Sequence, residues 1–305
     1  MLFEEVLEEY LYHCLAKGFT KKTMINKRQE YKQLNLFLKE KRGLTELESI
    51  TVHDLRAYMR YKQQQDGLQP QSIVTMFKMI KAFFNWCYKE EYLRENISRR
   101  VELPRVPKKV LNGFTEKEVQ TMIDAFSYKD YIEARNKAMI AIMADCGLRA
   151  MEIRGLKSKN VKDTSLLVDG KGNKQRMVFV SPTLKRILIK YERLKSQYFK
   201  EHIAYDDRYF LSYQGREISH TGLHKVVKVA GERAGVQNKR VSPHTFRHFY
   251  AVQALTNGVD VYSLSQIMGH SDITVTQRYL QSMSKEQLFD KAIASSPLMN
   301  MGRNR

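Results

Sequence analysis

The chain has 305 residues, 43% of them hydrophobic, and carries a formal net charge of +19. That length suffices for two compact domains, each burying its own core, and the composition excludes a disordered or collagen-like chain. The charge makes a polyanion the expected partner, because a basic surface captures nucleic acid by releasing counterions. Charge alone leaves a membrane surface, or no special partner, open. Cys14, Cys87 and Cys146 are scattered through apolar helical patterns without CxxC or metal-ligand spacing. They are expected to be reduced core residues of a cytoplasmic protein. The acidic start, Met1-Leu2-Phe3-Glu4-Glu5, lacks the plan of a signal peptide, and no apolar run approaches the roughly 18 residues of a membrane span. A soluble protein with no membrane partner is expected.

From Phe3 to Ala16 the residues Phe3, Val6, Leu7, Tyr10, Leu11 and Cys14 recur at helical spacing, and Gly18 ends the helix. Thr20 caps a second helix reaching about Lys41 before Gly43. Thr51 caps a third through Leu55, Tyr58 and Met59, closed by Gly67 and Pro70. Ile73, Met76, Phe77, Ile80, Phe83, Phe84 and Cys87 form the stripe of a fourth. These four make a small bundle with lysines and arginines expected on its outer faces, as solvated charge singly and as a DNA-facing set together. The stretch 99–113 carries Pro104, Pro107 and five basic side chains and reads as an extended linker or an ordinary hinge.

Beyond the linker, Thr115 with Glu118 three residues on is a capping box opening a helix to about Phe126. An apolar helix runs from Tyr131 to Cys146 and stops at Gly147. Leu166 to Val180 holds two β-prone runs around a Gly170-Lys171-Gly172-Asn173-Lys174 tip, a hairpin signature. The remainder is helical again. The expected fold class is therefore mainly α with a small β-hairpin in the C-terminal domain: a helical bundle at 1–98, a basic linker at 99–113 and a mixed α/β domain at 114–305.

Four places have the residue types for chemistry on an anion. Ser242-Pro243 opens a helix on which His244 and Arg247, three apart, share a face near the positive N-terminal end. His270 follows Gly269 at a turn, with Ser271 able to start the helix that ends in Gln277-Arg278-Tyr279. Arg149 follows Gly147, and Glu152 can brace its guanidinium or form a weak surface pair with it. Lys171, Lys174 and Arg176 share the hairpin, which can enter a DNA groove or remain solvated.

Singly these signals are weak, but their order is specific. Arg149, Lys171, His244-x-x-Arg247, Gly269-His270 and Tyr279, within CGLRAMEIRGL, DGKGNKQRMVFV, SPHTFRHFYAV and IMGHSDITVTQRY, resemble the active-site signature of the tyrosine recombinases, the phage integrase and Xer family. The resemblance covers the chain from about Thr115, and the N-terminal helices are similar to the family's SAM-like core-binding domain. Two departures are mild: Met151 stands where a small residue is usual, and Leu280-Gln281-Ser282 follows the tyrosine where relatives often have Thr-His.

The resemblance implies attack by Tyr279 on a phosphodiester of double-stranded DNA, giving a 3′-phosphotyrosine and a free 5′-hydroxyl without metal or other cofactor. Arg149 and Arg247 would clamp the phosphate, Lys171 would protonate the leaving oxygen, His244 would take the tyrosine proton and His270 would bond the phosphate. It further implies a homo-tetramer on two synapsed core sites, two domains closing on the duplex, and a tail, 282–305, with Leu288, Phe289, Ile293, Leu298 and Met299 for protomer contacts. The start of the first helix at Phe3 leads to an expectation of a short site without remote arm sites. Accessory proteins remain an open addition, and a catalytically silent DNA-binding regulator of the same fold is the alternative.

Overall fold

In the computed structural model, residues 1–107, 112–170, 175–294 and 296 are described. The chain divides into a unit of residues 1–109 and a unit of residues 110–305, and each has its own buried core.

The first unit holds α1 (Phe3–Ala16), α2 (Lys21–Arg42), α3 (Val52–Gln64) and α4 (Pro70–Lys89), with 3-10 turns at Leu47–Ser49 and Ile97–Arg100. The apolar stripes read from the sequence are the buried faces of α1 and α4. Each fully buried side chain of this size contributes about 1.5–3 kcal/mol, so these stripes supply the main drive for the helices to pack together. Thr20 caps α2 by accepting from the Thr23 amide, and Gly43 ends it in left-handed geometry. Pro70, expected to close the third helix, instead opens the fourth. Its missing N–H is one that a first helical turn would leave unused, and α3 has already ended at Gln64. Two lysines depart from the expected outer faces. Lys27 is buried, donates to the Tyr10 hydroxyl (3.0 Å) and lies over the Tyr10 and Tyr31 rings. Lys62 is buried too and binds Gln33 and Asp66. At the start of the expected linker, Arg99 and Arg100 belong to the second 3-10 turn, and Val101 is buried in this unit's core.

The second unit holds α5 (Glu116–Asp124), α6 (Tyr131–Cys146), α7 (Ala150–Gly155), β1 (Ser165–Asp169), β2 (Gln175–Phe179), α8 (Pro182–Glu201) and α9 (His220–Arg233). It continues through α10 (Pro243–Thr256), α11 (Val261–Met268), α12 (Ile273–Leu280) and α13 (Lys285–Ala294). Among the described residues the sheet is a single antiparallel pair, β1 against β2, with Leu167 opposite Met177. Alternation turns Leu166, Val168 and Val178 into the core while Met177 and Phe179 face out, Phe179 with 73% of its surface exposed. The tip residues 171–174, Lys171 among them, lie outside the described residues. Helix α6 is buried nearly all round and packs on α8 and α10.

Helix α10 joins two apolar clusters. Phe246 belongs to the unit's main core, while Ala251 and Leu255 pack with Leu264, Met268, Tyr279 and Met283 in a smaller one. Ser242 caps α10 by accepting from the Thr245 amide, and Pro243 takes the first turn, as the local sequence predicts. Gly147 ends α6 with φ of 57°, and a Cβ there would overlap the ring of Tyr250. Gly147→Ala should therefore lower unfolding stability by about 1–3 kcal/mol in denaturant titration, whereas an unchanged midpoint would show that Tyr250 yields freely.

Candidate active site

The C-terminal end of α11 organises the site. The last carbonyls of a helix have no intrahelical partner and carry its negative pole. Here three consecutive carbonyls each receive a different arginine. Arg176 Nε donates to Ile267 O (2.8 Å), an Arg247 terminal nitrogen to Met268 O (2.8 Å) and an Arg149 terminal nitrogen to Gly269 O (3.0 Å). The three come from β2, α10 and the α6–α7 junction, so one helix end ties together elements far apart in sequence. Gly269 makes this approach feasible. It is left-handed, with φ of 63°, and a Cβ would sit 3.1–3.3 Å from the Arg176 side chain.

Glu152 holds two of the arginines from the other side. It is 7% exposed and accepts from both terminal nitrogens of Arg176 (2.8 Å each), from the Arg149 guanidinium (2.8 Å) and from the Arg149 amide (2.7 Å). Burial pushes its pKa up, but the bonds from Arg176, the Arg149 amide and the Arg149 guanidinium outweigh this and keep it below the usual carboxylate range. The i,i+3 bracing of Arg149 thus forms as the spacing suggests, in a buried setting where such pairs are costly to break. Arg176, read from the sequence as part of a groove-entering basic hairpin, instead turns inward to Glu152. The alternation of β2 places it on the same face as buried Val178, and that inward register was the signal available.

Arg247 is 4% exposed and also donates to Gly147 O (2.7 Å). Burial, with Arg149 nearby, lowers its pKa to about 10, so it stays charged at neutral pH. Its guanidinium lies 2.8 Å from His270 Nε2, and His270 Nδ1 is 2.7 Å from Thr276 Oγ1. A guanidinium only donates, so Nε2 must accept and the imidazole proton sits on Nδ1, pointing at Thr276. Burial and then Arg247, Arg149 and Arg176 lower the His270 pKa to about 4. The turn after Gly269 forms as expected, but α12 is capped by Asp272, not Ser271, through the Thr274 amide (2.9 Å). His244, on the first turn of α10, keeps an exposed surface, while partial desolvation of its imidazole, then Arg240 and Arg247, holds its pKa below the ordinary value.

Tyr279, in the last turn of α12, is 6% exposed. Its ring packs in the small cluster with Met268 and Leu255 and contacts two imidazoles, His248 (centroids 5.3 Å apart) and His270 (6.2 Å). The structure therefore brings Arg149, Arg247, His270 and Tyr279 together through contacts, with His244 one turn before His248 on α10. Arg176, Thr276 and His248 were not assigned places in this site from the sequence. Three guanidiniums against the one carboxylate of Glu152 leave two positive charges uncompensated within the cluster, and His270 is neutral. No group of three or more His, Cys, Asp or Glu placed to hold a metal ion occurs among the described residues.

A fixed set of guanidiniums with uncompensated charge beside an anchored tyrosine is an arrangement suited to receiving an anion. The sequence profile of the phage integrase family matches residues 112–286, and that of the phage integrase SAM-like domain matches residues 2–102. The chain belongs to the phage integrase family. It is similar to tyrosine recombinase XerD of Staphylococcus haemolyticus, 27% identical over 292 residues, covering 93% of this chain and 96% of the relative. Tyrosine recombinase XerC of Lactobacillus leichmannii is 27% identical over 281 residues, covering 92% and 94% respectively. The fold matches that of a lambda integrase fragment crystallised as a dimer on a core site, with a TM-score of 0.70 at 16% identity, covering 90% of this chain and 97% of that one.

Two predictions follow from the cluster's charges. Glu152→Gln leaves Arg149 and Arg176 facing each other without a carboxylate and should cost about 3–5 kcal/mol in urea unfolding; a loss under about 1 kcal/mol would mark the pair as a surface one. His270 has a lowered pKa, so the unfolded chain binds its proton first. The stability it contributes is complete above pH 6.5 and is lost as pH falls toward about 4. His270→Gln should therefore flatten the fall in unfolding free energy between those values, and an unaltered slope would contradict the assignment.

Proposed function

We propose that the protein is a site-specific DNA recombinase of the tyrosine type, cutting and rejoining strands through a covalent bond between Tyr279 and a DNA 3′-phosphate. The observation that carries this reading is the convergence of Arg149 and Arg247 with the ring of Tyr279 and His270 around the end of α11. The family membership and the tyrosine recombinases similar to more than nine-tenths of the chain support the same activity.

In this reading the Tyr279 oxygen attacks phosphorus, the bond to the 5′-oxygen breaks, and the bond energy is kept in the phosphotyrosine until a 5′-hydroxyl reverses the step. Arg149 and Arg247 bind the non-bridging oxygens, which gain charge in the transition state. Their carbonyl contacts hold them in place beforehand. His244, with its pKa below the ordinary value, is unprotonated at neutral pH and receives the tyrosine proton. Lys171, which follows β1 in the sequence and lies outside the described residues, gives a proton to the departing 5′-oxygen. With its proton on Nδ1, His270 steadies the Arg247 guanidinium; bonding the phosphate would require a proton on Nε2, which the phosphate charge favours.

Double-stranded DNA is the partner, gripped by the first unit as the core-binding part and by the second as the catalytic part. The working assembly is a homo-tetramer on two core sites, in the cytoplasm. Exposed Leu288, Phe289 and Ile293 on α13 suit the segment from Ser282 onward to contacts between protomers; Leu298 and Met299 lie outside the described residues.

A duplex nicked near the crossover tests this. The wild-type protein should trap a covalent adduct, and Tyr279→Phe should trap none while binding the DNA equally. Arg247→Ala should slow adduct formation by about 10²–10³-fold. Binding without any wild-type adduct would favour a silent DNA-binding regulator, and equal trapping by Tyr279→Phe would remove Tyr279 as nucleophile.

A further inference from the structure

His248 has no part in the scheme above, yet it touches the nucleophile. It lies on α10 directly after Arg247, is 3% exposed, and its ring packs against the Tyr279 ring at 5.3 Å and 52°. Its Nδ1 is buried without a hydrogen-bond partner among the described residues. Leaving such a group unpaired costs stability. Burial, with His244 one turn away, lowers its pKa, so the ring is neutral at neutral pH.

The opposite edge of the same ring meets the backbone at the start of this unit. A Cβ on Gly113 would stand 3.1 Å from His248 Cδ2 and 3.5 Å from Nε2. The φ of Gly113 is not in the left-handed region, so its lack of a side chain answers to space, not to backbone conformation. A cavity of about 820 Å³ opens beside these residues, lined by Gly113, His248, Gln253, Ser282 and Ser284. Gly113 and the Tyr279 ring both touch the imidazole.

We propose that His248 is a positioning residue for the reaction: held between Gly113 and the Tyr279 ring, its imidazole sets the angle at which the tyrosine meets the phosphate. Helix α10 then carries the phosphate clamp, Arg247, and the tyrosine's support, His248, on adjacent residues, so clamp and nucleophile move as one body. The inference rests on Tyr279 being the nucleophile.

The test is single-turnover cleavage of the nicked duplex, with DNA affinity and thermal melts measured alongside. His248→Ala should slow adduct formation by about 10- to 100-fold, the scale of a small misplacement of a reacting group, with DNA affinity unchanged. His248→Phe, which keeps a ring between Gly113 and Tyr279, should recover most of the rate. Gly113→Ala should slow cleavage in the wild-type background and have no further effect in His248→Ala, because its only lever is gone. Wild-type cleavage by His248→Ala, failure of phenylalanine to restore the rate, or multiplying effects of the two alanine substitutions would each overturn the proposal. Should His248→Ala lose its cooperative melt, Gly113→Ala alone decides: slowed cleavage with DNA affinity kept supports the proposal, and an unchanged rate overturns it. Tyr279→Phe, run in parallel, separates the two claims, since residual adduct there defeats the nucleophile assignment and not the positioning alone.

Discussion

The second unit depends on three arginines meeting the unpaired carbonyls at the end of α11. A helix end buried in a protein needs donors, and a phosphate-binding site needs fixed cations; in the proposed function the same guanidiniums meet both needs. Each uses some of its N–H groups on the carbonyls of Ile267, Met268 or Gly269, which leaves the remaining groups of Arg149 and Arg247 in a set direction. The arrangement resists collapse under its own repulsion because Glu152 accepts from Arg149 and Arg176 together. One carboxylate is enough to hold the cluster and too little to neutralise it. The excess of positive charge is what a phosphodiester would complete.

The tyrosine follows a different rule. Its ring is an ordinary core residue, packed with Met268 and Leu255 and in contact with His248 and His270. Anchoring the ring in an apolar cluster lowers the entropy lost when the hydroxyl is brought to a reacting atom. Helix α10 links the two rules, with Arg247 turned to the carbonyl end of α11 and Ala251 and Leu255 turned to the cluster around the tyrosine.

Much of this was legible in the sequence because it depends on local signals. The stripes of α1 and α4, the Thr115–Glu118 capping box, the Gly147 stop and the Ser242-Pro243 helix start are set by neighbours within a few residues, and all four appear in the structure. The order of Arg149, His244, Arg247, His270 and Tyr279 pointed to the family as well. What local reasoning missed is set by tertiary packing. Arg176 looked like one more basic residue on a basic hairpin, and only the partner across the unit, Glu152, turns it inward. Lys27 and Lys62 carried no mark of burial, since the aromatic hydroxyl, amide and carboxylate groups that receive them lie on other helices or a turn away. Pro70 was ambiguous because proline serves equally to end one helix and to begin the next. His248 was hidden in the string HTFRHF, where its contact with Tyr279, 31 positions on, has no signature in spacing.

In the proposed function the arginine cluster delivers a DNA phosphate to the Tyr279 hydroxyl. Mass spectrometry of the adduct trapped by the wild-type protein on a nicked duplex tests it most directly. The expected result is a single modified peptide, with the Tyr279 oxygen bonded to a 3′-phosphate and a free 5′-hydroxyl on the released strand. A phosphate carried by any other residue, or a linkage through a 5′-phosphate, would contradict it.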